Sequence, residues 1–205
     1  LLRHKLAVSK LEEMGEGTTF HRVLWDEGDP GPDSKIRQVV LCSGKVYYDL
    51  QEERDKRGIK DVYILRLEQL YPYPQKALEN ELNRFPNAQI VWCQEEPKNM
   101  GSWTYIHEPL VEHLVDMGRS DTRVRYTGRS AAASPATGLA KRHVAEQAAL
   151  VDDALTIIKP VARRGTAKKA TLRSAPTRKA PVKKAAAKKS PAKKATAAKA
   201  PAKRA

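Results

Sequence analysis

The sequence VVLCSGKVYYDL, residues 39–50, decides the fold class of this chain. It opens with a short continuous run of apolar side chains, which is typical of a strand covered on both faces. A Ser-Gly pair ends the run, and apolar residues then recur at helical spacing from Val46 to Leu50, with charged residues such as Arg54 on the polar side up to Gly58. These residues predict a buried strand followed by a helix, which is the repeating unit of an α/β domain.

The same alternation of strand and helix continues to residue 158. Apolar runs predict further strands at residues 61–67, 88–93 and 122–126. Helical periodicity predicts three more helices, one from Pro74 to Pro86, one that starts at Pro109 and one from about Thr137 to Ile158. Elements in this order predict an α/β fold over residues 36–158, with a mainly parallel sheet flanked by helices.

Residues 1–35 show no such order. Gly, Asp and Pro are concentrated from Gly28 to Ser34, which is the composition of a turn rather than of an element interior. The upstream stretch Leu6–Phe20 contains two glycines and resembles an arm laid over another surface. We therefore expect residues 1–35 to be a connecting arm, and the initial Leu in place of Met suggests a longer parent chain.

The charge of the chain is divided between two regions. The 205 residues carry a formal +14, but residues 160–205 contain sixteen Lys and Arg and no Asp or Glu, so the first 159 residues carry −2. The twelve aromatic residues all precede position 127, and only the first region can therefore build a core. Residues 159–205 cannot bury enough apolar surface to offset the entropy of ordering, and we predict a disordered basic tail.

The tail has the composition of a polycation that binds polyanions. Basic pairs recur every five residues, which would spread the charge over all sides of a helix and leave no apolar stripe for a membrane. Because no aromatic residue is available to stack on bases, we expect nonspecific contact with nucleic acid rather than sequence readout. Attachment to an acidic protein surface, or no partner at all, are the alternatives. The residues expected to contact a polyanion are Lys168, Lys169, Arg178, Lys179, Lys183, Lys184, Lys188, Lys189, Lys193 and Lys194.

Several classes of protein are excluded by what the sequence lacks. No apolar run of about 18 residues could span a membrane, and the N-terminus lacks the apolar stretch of a secretory signal. Cys42 and Cys93 have no C-x-x-C spacing, and no pair of histidines has the spacing of a metal site. Phosphate-binding glycine loops and nucleophile-elbow motifs are also missing. We expect buried structural thiols, no metal site, and a reducing, cytoplasmic location.

Two cationic side chains are candidates for binding an anion. Lys45 follows a glycine at the strand-to-helix turn, where backbone N–H groups attract anions, although such a turn is also common as plain architecture. Arg66 lies near the end of the second strand beside Glu68, where an ion pair is the alternative. If Lys45 and Arg66 face the same edge of the sheet, they could hold one phosphate or carboxylate. Glu95 and Glu96 follow the third strand as loop or interface residues, or else as a functional edge.

Six stretches of the chain resemble one enzyme family. They are LLRHKLAVS (1–9), FHRVLWDE (20–27), VVLCSGKVYYDL (39–50), ILRLEQLYPYP (64–74), VWCQEEPKNMGSW (91–103) and YTGRSAAASPATGLAKRHVAEQ (126–147). Together they resemble the C-terminal end of the first component of 2-oxoglutarate dehydrogenase, a thiamine-diphosphate-dependent decarboxylase, over about residues 1–157. The basic tail is not part of that pattern.

The resemblance implies a transketolase-type C-terminal domain that packs against upstream domains and a homodimer mate. It implies that the full enzyme decarboxylates 2-oxoglutarate in the tricarboxylic acid cycle, on thiamine diphosphate and Mg²⁺, and passes the succinyl group to dihydrolipoyl succinyltransferase. The catalytic and cofactor residues of the family belong to upstream domains, so no active site and no bound cofactor are implied for this chain. Some members bind acetyl-CoA as an effector, and motif matching places that site at Arg66 and Lys5, with Ser9 as a further candidate.

Two functions therefore remain open from the sequence. In the first, the chain is the C-terminal portion of the dehydrogenase and supplies packing and an effector site. In the second, it is a standalone α/β domain that associates with nucleic acid through its basic tail.

Overall fold

The computed structural model describes residues 3–158. Their strands form one sheet in the order β1-β3-β2-β4-β5. The strands are β1 (Val23–Leu24), β2 (Gln38–Cys42), β3 (Val62–Leu67), β4 (Gln89–Pro97) and β5 (Val124–Arg129), and the helices are α1 (Val46–Arg57), α2 (Gln75–Leu82), α3 (Trp103–Asp116) and α4 (Ala140–Leu155). Two short 3₁₀ turns, Leu11–Met14 and Asp33–Lys35, lie in the arm. The predicted tail, residues 159–205, lies outside the described residues.

The sheet is mainly parallel, which confirms the predicted fold class. The central strand β2 pairs in parallel with both β3 and β4, and β5 extends the sheet beyond β4 in the same direction. All five residues of β2 are buried, as an unbroken apolar run predicts for a strand covered on both faces.

Alternate residues of the strands contribute to two separate cores. In β2, Val39 and Leu41 pack with residues of α2 and α3. Val40 and Cys42 point the other way and pack with residues of α1 and α4. The sheet is therefore the middle of three layers, because side chains alternate along a strand and both faces are covered by helices. The carboxyl ends of the parallel strands meet at one edge, where such sheets usually bind ligands.

The arm adds a short edge strand, β1, which pairs antiparallel with β3. Just after β1, the carboxylate of Asp26 accepts hydrogen bonds from the backbone N–H groups of Gly28 and Ile64, both at 2.9 Å. It also forms an ion pair with Arg54, and neither side chain has any exposed surface. The sequence placed Arg54 on the polar side of its helix. The structure corrects this prediction, because the arm covers that side and supplies the matching charge.

Helix α3 corrects a second prediction. The sequence indicated that Pro109 starts this helix, whereas α3 begins at Trp103 and Pro109 lies inside it. The buried side-chain oxygen of Gln94 accepts a hydrogen bond from the Trp103 N–H at 2.9 Å, which satisfies one of the unpaired donors at the helix start. Pro109 removes one N–H from the helix. The helix continues because Ile106 and Leu110, on either side of it, are fully buried.

The other predicted elements are present with shifted ends. Strand β4 continues past its predicted end at Cys93 to Pro97, because Pro97 pairs with Arg129 at the end of β5. Helix α2 ends at Leu82 rather than Pro86, and β5 runs from Val124 to Arg129 rather than over 122–126. Helix α4 spans Ala140–Leu155 rather than Thr137 to Ile158. Within residues 3–158, no helix has the length and apolarity needed to cross a membrane.

Candidate functional site

Arg66, near the carboxyl end of β3, lines a cavity of about 240 Å³ between the arm, α1 and β3. The arm contributes Ser9, Thr19 and His21 to this cavity, and α1 contributes Tyr48. We call it the Arg66 cavity. Its position follows from the topology. Because β1 pairs with β3, the arm lies along β3 and covers the carboxyl end of that strand.

The guanidinium of Arg66 is held from two sides. It donates a hydrogen bond through Nη1 to the hydroxyl oxygen of Tyr48 at 2.8 Å. Its Nε lies 2.6 Å from Oε1 of Glu68, although the two are not aligned for a hydrogen bond. The guanidinium carbon also stands 4.8 Å from the ring centre of Tyr47 and 5.3 Å from that of Tyr48. These contacts fix a cation over aromatic rings, an arrangement that stabilises the charge.

The charge states of Arg66 and of the neighbouring Tyr47 are constant near neutral pH. Burial lowers the pKa of Arg66, but the Tyr48 hydrogen bond and the Glu68 carboxylate outweigh burial, so the pKa is raised overall. Burial also raises the pKa of Tyr47 to about 12. Arg66 is therefore always a cation, and Tyr47 is always neutral.

Carboxylates outnumber cations in the lining of the Arg66 cavity. Glu13, Glu27 and Glu68 line it together with the single arginine. Glu13 already accepts a hydrogen bond from the backbone N–H of Lys10 at 3.0 Å. An anion that enters the cavity must therefore compete with Glu68 for the guanidinium.

Lys45 lies elsewhere on the carboxyl edge and does not line the Arg66 cavity. Its Nζ is 2.8 Å from Oδ2 of Asp49 and 3.2 Å from Oε1 of Glu95. Burial lowers the pKa of Lys45, but the two carboxylates outweigh it and raise the pKa overall. Glu95 and Glu96, expected in a loop, lie in β4. That Lys45 and Arg66 hold one anion stays a prediction.

The two arm candidates occupy different positions. Ser9 lines the Arg66 cavity, whereas Lys5 is 79% exposed and its Nζ lies 3.2 Å from Oε1 of Glu52 on α1. The imidazole of His4 lies 4.8 Å from the ring centre of Tyr48, the tyrosine that binds Arg66. Lys5 thus follows a residue in contact with the wall of the cavity.

Sequence reasoning missed most of the lining. Thr19 and His21 precede a strand of two residues, which is too short to show an alternating pattern. Tyr48 lies in the first turn of α1, and no sequence pattern singled it out. The aromatic pair Tyr47 and Tyr48, which follows the Gly-Lys turn, is the one available signal that an arginine could stack at this edge.

The two cysteines are buried and free, as expected. Cys42 of β2 and Cys93 of β4 are direct partners across the sheet. Burial raises the pKa of Cys93 to about 12, so its thiol stays protonated and unreactive.

These features define a class: a three-layer α/β domain whose mainly parallel sheet carries an antiparallel edge strand. The family model described as 2-oxoglutarate dehydrogenase C-terminal matches residues 8–155, and the chain belongs to this family. This confirms the resemblance drawn from the six motifs.

Three curated relatives show the same similarity. The 2-oxoglutarate dehydrogenase E1 components of Brucella anthropi, Brucella ovis and Brucella canis are each 60% identical to this chain over 163 residues. The alignments cover 76% of this chain but only 16% of each relative. The chain thus spans a small part of the length of the proteins it matches.

The described residues do not fit the cofactor that the family implies. Nowhere in residues 3–158 are three His, Cys, Asp or Glu side chains grouped so that they could hold a metal ion such as Mg²⁺. No catalytic step is therefore assigned to these residues.

Proposed function

We propose that this chain acts as the C-terminal portion of a cytoplasmic 2-oxoglutarate dehydrogenase E1 component. The proposed enzyme decarboxylates 2-oxoglutarate with thiamine diphosphate and Mg²⁺ and passes the succinyl group to dihydrolipoyl succinyltransferase. The observation that carries this proposal is the 60% identity to E1 components over 163 residues. In this function the chain supplies packing against upstream domains and a homodimer mate, and it contributes no reacting group.

The surface of the arm supports a packing function. Four large apolar side chains of the arm are each more than two-thirds exposed: Val8, Leu11, Met14 and Phe20. Apolar side chains concentrated in one exposed segment are typical of a surface that another protein part covers. Burying them removes apolar area from water at about 25 cal/mol per Å², which would stabilise an assembly with upstream domains.

A hybrid enzyme tests the packing function. The matching segment of the Brucella anthropi E1 component is replaced by residues 1–158 of this chain, and 2-oxoglutarate decarboxylation is measured. We expect activity within about tenfold of the parent enzyme, which is about 1.4 kcal/mol in barrier height, and none when the segment is deleted. A folded but inactive hybrid would contradict the proposal, as would decarboxylation by this chain alone.

A matched pair of substitutions separates packing from folding in the same hybrid. Leu11→Asp places a charge on the exposed arm, and Val144→Asp places one on the exposed face of α4, where the side chain is 66% exposed. We expect Leu11→Asp alone to lower activity and dimer content. Equal effects of the two changes would show that the arm is not a specific interface.

We further propose that the Arg66 cavity is the effector site of this enzyme, for the phosphates of an acyl-CoA. Arg66 and Lys5 would bind the phosphates, and Ser9 would donate a hydrogen bond. Support comes from the position of Ser9 in the lining and of His4, the neighbour of Lys5, against Tyr48. Binding would break the contact between Arg66 and Glu68, so the carboxylate acts as a competitor that sets the affinity.

Titration of the hybrid with acetyl-CoA tests the effector site. We expect Arg66→Ala to weaken binding by about tenfold or more, because a charge-assisted hydrogen bond is lost. Arg37→Ala is the matched control, since Arg37 is also an ion-paired arginine but stands at the opposite edge of the sheet, beside Asp61. Equal affinities of the wild type and Arg66→Ala would contradict the proposed effector site but would not affect the proposed packing function.

A second function is favoured by one feature of the sequence, the sixteen Lys and Arg without acidic residues over residues 160–205. All ten predicted contact residues, from Lys168 to Lys194, lie outside the described residues. We propose nonspecific nucleic-acid binding by this segment. The test compares DNA binding of the full chain and of a chain that ends at Arg163, at about 50 and 200 mM salt. Retained affinity after truncation would show that the tail is not the binding segment.

A further inference from the structure

A second and larger cavity, of about 590 Å³, lies between α4 and the loop that connects it to β5. We call it the Arg129 cavity, after the last residue of β5. It shares no lining residue with the Arg66 cavity. Its volume is within the usual range for small-molecule sites, about 300–1,000 Å³.

The loop over this cavity is held in place. The side chain of Asn99 forms two hydrogen bonds with the backbone of Ala132, one to its carbonyl oxygen and one from its N–H, both at 3.0 Å. The Ser134 hydroxyl donates to the carbonyl oxygen of Ala136 at 2.8 Å. At the loop start, a Cβ on Gly128 would lie 2.8 Å from the carbonyl oxygen of Gln94, so only glycine allows this close approach. The cavity is therefore preformed.

Two arginines in the lining share one carboxylate. Nε of Arg142 donates to Oε1 of Glu146 at 2.7 Å, and Nε of Arg129 lies 3.4 Å from Oε2 of the same residue. The side chain of Arg129 is only 10% exposed; its Nη2 lies 2.7 Å from Nδ1 of His143, and its Nε is not aligned for a hydrogen bond. The other acidic residue of the lining, Asp153, accepts a hydrogen bond from Arg125 at 3.1 Å. Counting Arg125, which lies outside the lining, the group has three arginines and two carboxylates and so keeps one excess positive charge.

The start of α4 adds to the positive potential of this cavity. Thr137 and Arg142, before and within the first turns, both line it. No side chain caps the helix at Leu139, and its first turn holds no acidic residue. Uncapped N–H groups and the helix dipole attract an anion at such an end. They act in the same direction as the positive charges of Arg129 and Arg142.

The rest of the lining is apolar. It consists of alanines of the loop, two prolines, Ala149 and the buried Leu150. We propose that the Arg129 cavity binds a small organic anion, with a phosphate or carboxylate group at Arg129 and Arg142 and a compact apolar body against the alanines and Leu150. This proposal is independent of the function proposed for the Arg66 cavity.

Titrations of the full chain followed by ¹H–¹⁵N NMR test the proposal. The probes are phenyl phosphate, benzoate, inorganic phosphate and the uncharged benzyl alcohol. The basic residues after position 159 also attract anions, so binding is read from the amide signals of residues 128–150. We expect saturable shifts there with phenyl phosphate or benzoate at concentrations below about 1 mM, and weaker effects of the other two. The stronger of the first two identifies the anionic group.

Matched substitutions locate the binding. Arg129→Gln and Arg142→Gln should each lower the affinity for the better-binding probe by about tenfold or more. Arg123→Gln is the control, because Arg123 is 66% exposed and paired with Asp121, much as Arg142 is 67% exposed and paired with Glu146. It should leave the affinity unchanged.

A second pair of substitutions changes no charge and provides a test if Arg129→Gln fails to fold. Ala149→Phe would fill the cavity from the exposed side of α4, whereas Ala145→Phe is an equally exposed change outside the lining. We expect only Ala149→Phe to abolish binding. The proposal is overturned if the amides of residues 128–150 show no saturable shift up to about 10 mM, or if Ala149→Phe binds as tightly as Ala145→Phe.

Discussion

Arg54 of α1 and Arg66 of β3 each form an ion pair with a carboxylate, but the two pairs differ in their exposure to solvent. The Arg54–Asp26 pair has no exposed surface on either side chain. In the Arg66–Glu68 pair the side chains are 18% and 32% exposed, and both line a cavity. The Arg54–Asp26 pair, which we call the closed pair, can only stabilise the fold, because no ligand reaches it. The Arg66–Glu68 pair, which we call the open pair, would exchange its carboxylate for a ligand if it acts as the effector site proposed above.

The sharpest test of this difference is removal of the closed cation. Arg54→Met keeps most of the side-chain volume but leaves the Asp26 carboxylate buried without its partner. We expect a loss of about 3–5 kcal/mol in the free energy of unfolding, measured by urea denaturation. Arg57→Met, at a 35% exposed position of the same helix, should cost no more than about 1 kcal/mol. Similar losses for the two variants would mean that burial does not distinguish these arginines.

The second test crowds the closed pair without removing a charge. A Cβ on Gly28 would overlap Nη2 of Arg54. Gly28→Ala should therefore displace the guanidinium and destabilise the domain by about 1–3 kcal/mol. Gly15→Ala is the control in the same arm, because its Cβ would lie 3.4 Å from the nearest atom, the carbonyl oxygen of Glu12. If the melting temperatures of both variants equal that of the wild type, the pair is less tightly packed than we describe.

The closed pair is also a contact that the sequence did not predict. The apolar run of β2 predicted the buried strand and hence the parallel sheet, because that signal is local. Arg54 was predicted to be on a polar helix face, and its burial depends on Asp26, which is distant in sequence and lies in an arm without regular pattern. Nonlocal pairs of single charges leave no periodic signal in one sequence.

The two cavities also differ in whether local features of the sequence indicate them. Arg66 was a candidate from the sequence because a strand end and a neighbouring glutamate are local features. The Arg129 cavity was not predicted, since its loop reads as a run of small residues and its charges come from β5 and α4. Pro109 failed as a helix start for a related reason: the cap on Trp103 comes from Gln94 on the preceding strand.

A third test uses a buried group on the opposite face of the sheet. His113 is 2% exposed, and its Nδ1 lies 3.0 Å from the Tyr73 hydroxyl. Burial lowers the pKa of His113, although Glu79 and Asp116 act in the other direction. Because the unfolded chain then binds a proton more readily, stability should fall as the pH drops below about 6.5, by at most about 1.4 kcal/mol per pH unit.

Urea denaturation at about pH 7 and pH 5.5 measures this contribution. His113→Asn, which can replace the Nδ1 contact, should lose less stability on acidification than the wild type does, by about 1 kcal/mol. His107→Asn, at an exposed position of the same helix, should retain the full pH dependence. A wild type and a His113→Asn variant with the same pH dependence would exclude His113 as the source.

The smallest effect is expected at the open pair. Arg66→Met leaves Glu68 partly in water, so the carboxylate can be solvated instead of paired, and the loss in unfolding free energy should be at most about 1 kcal/mol. The methionine retains contact with the rings of Tyr47 and Tyr48, which preserves most of the packing. The measurement is the difference between the urea denaturation curves of Arg66→Met and Arg54→Met. A loss at Arg66 as large as that at Arg54 would show that the cavity arginine is a structural residue, and a site for an exchangeable ligand would then have to be sought elsewhere in the domain.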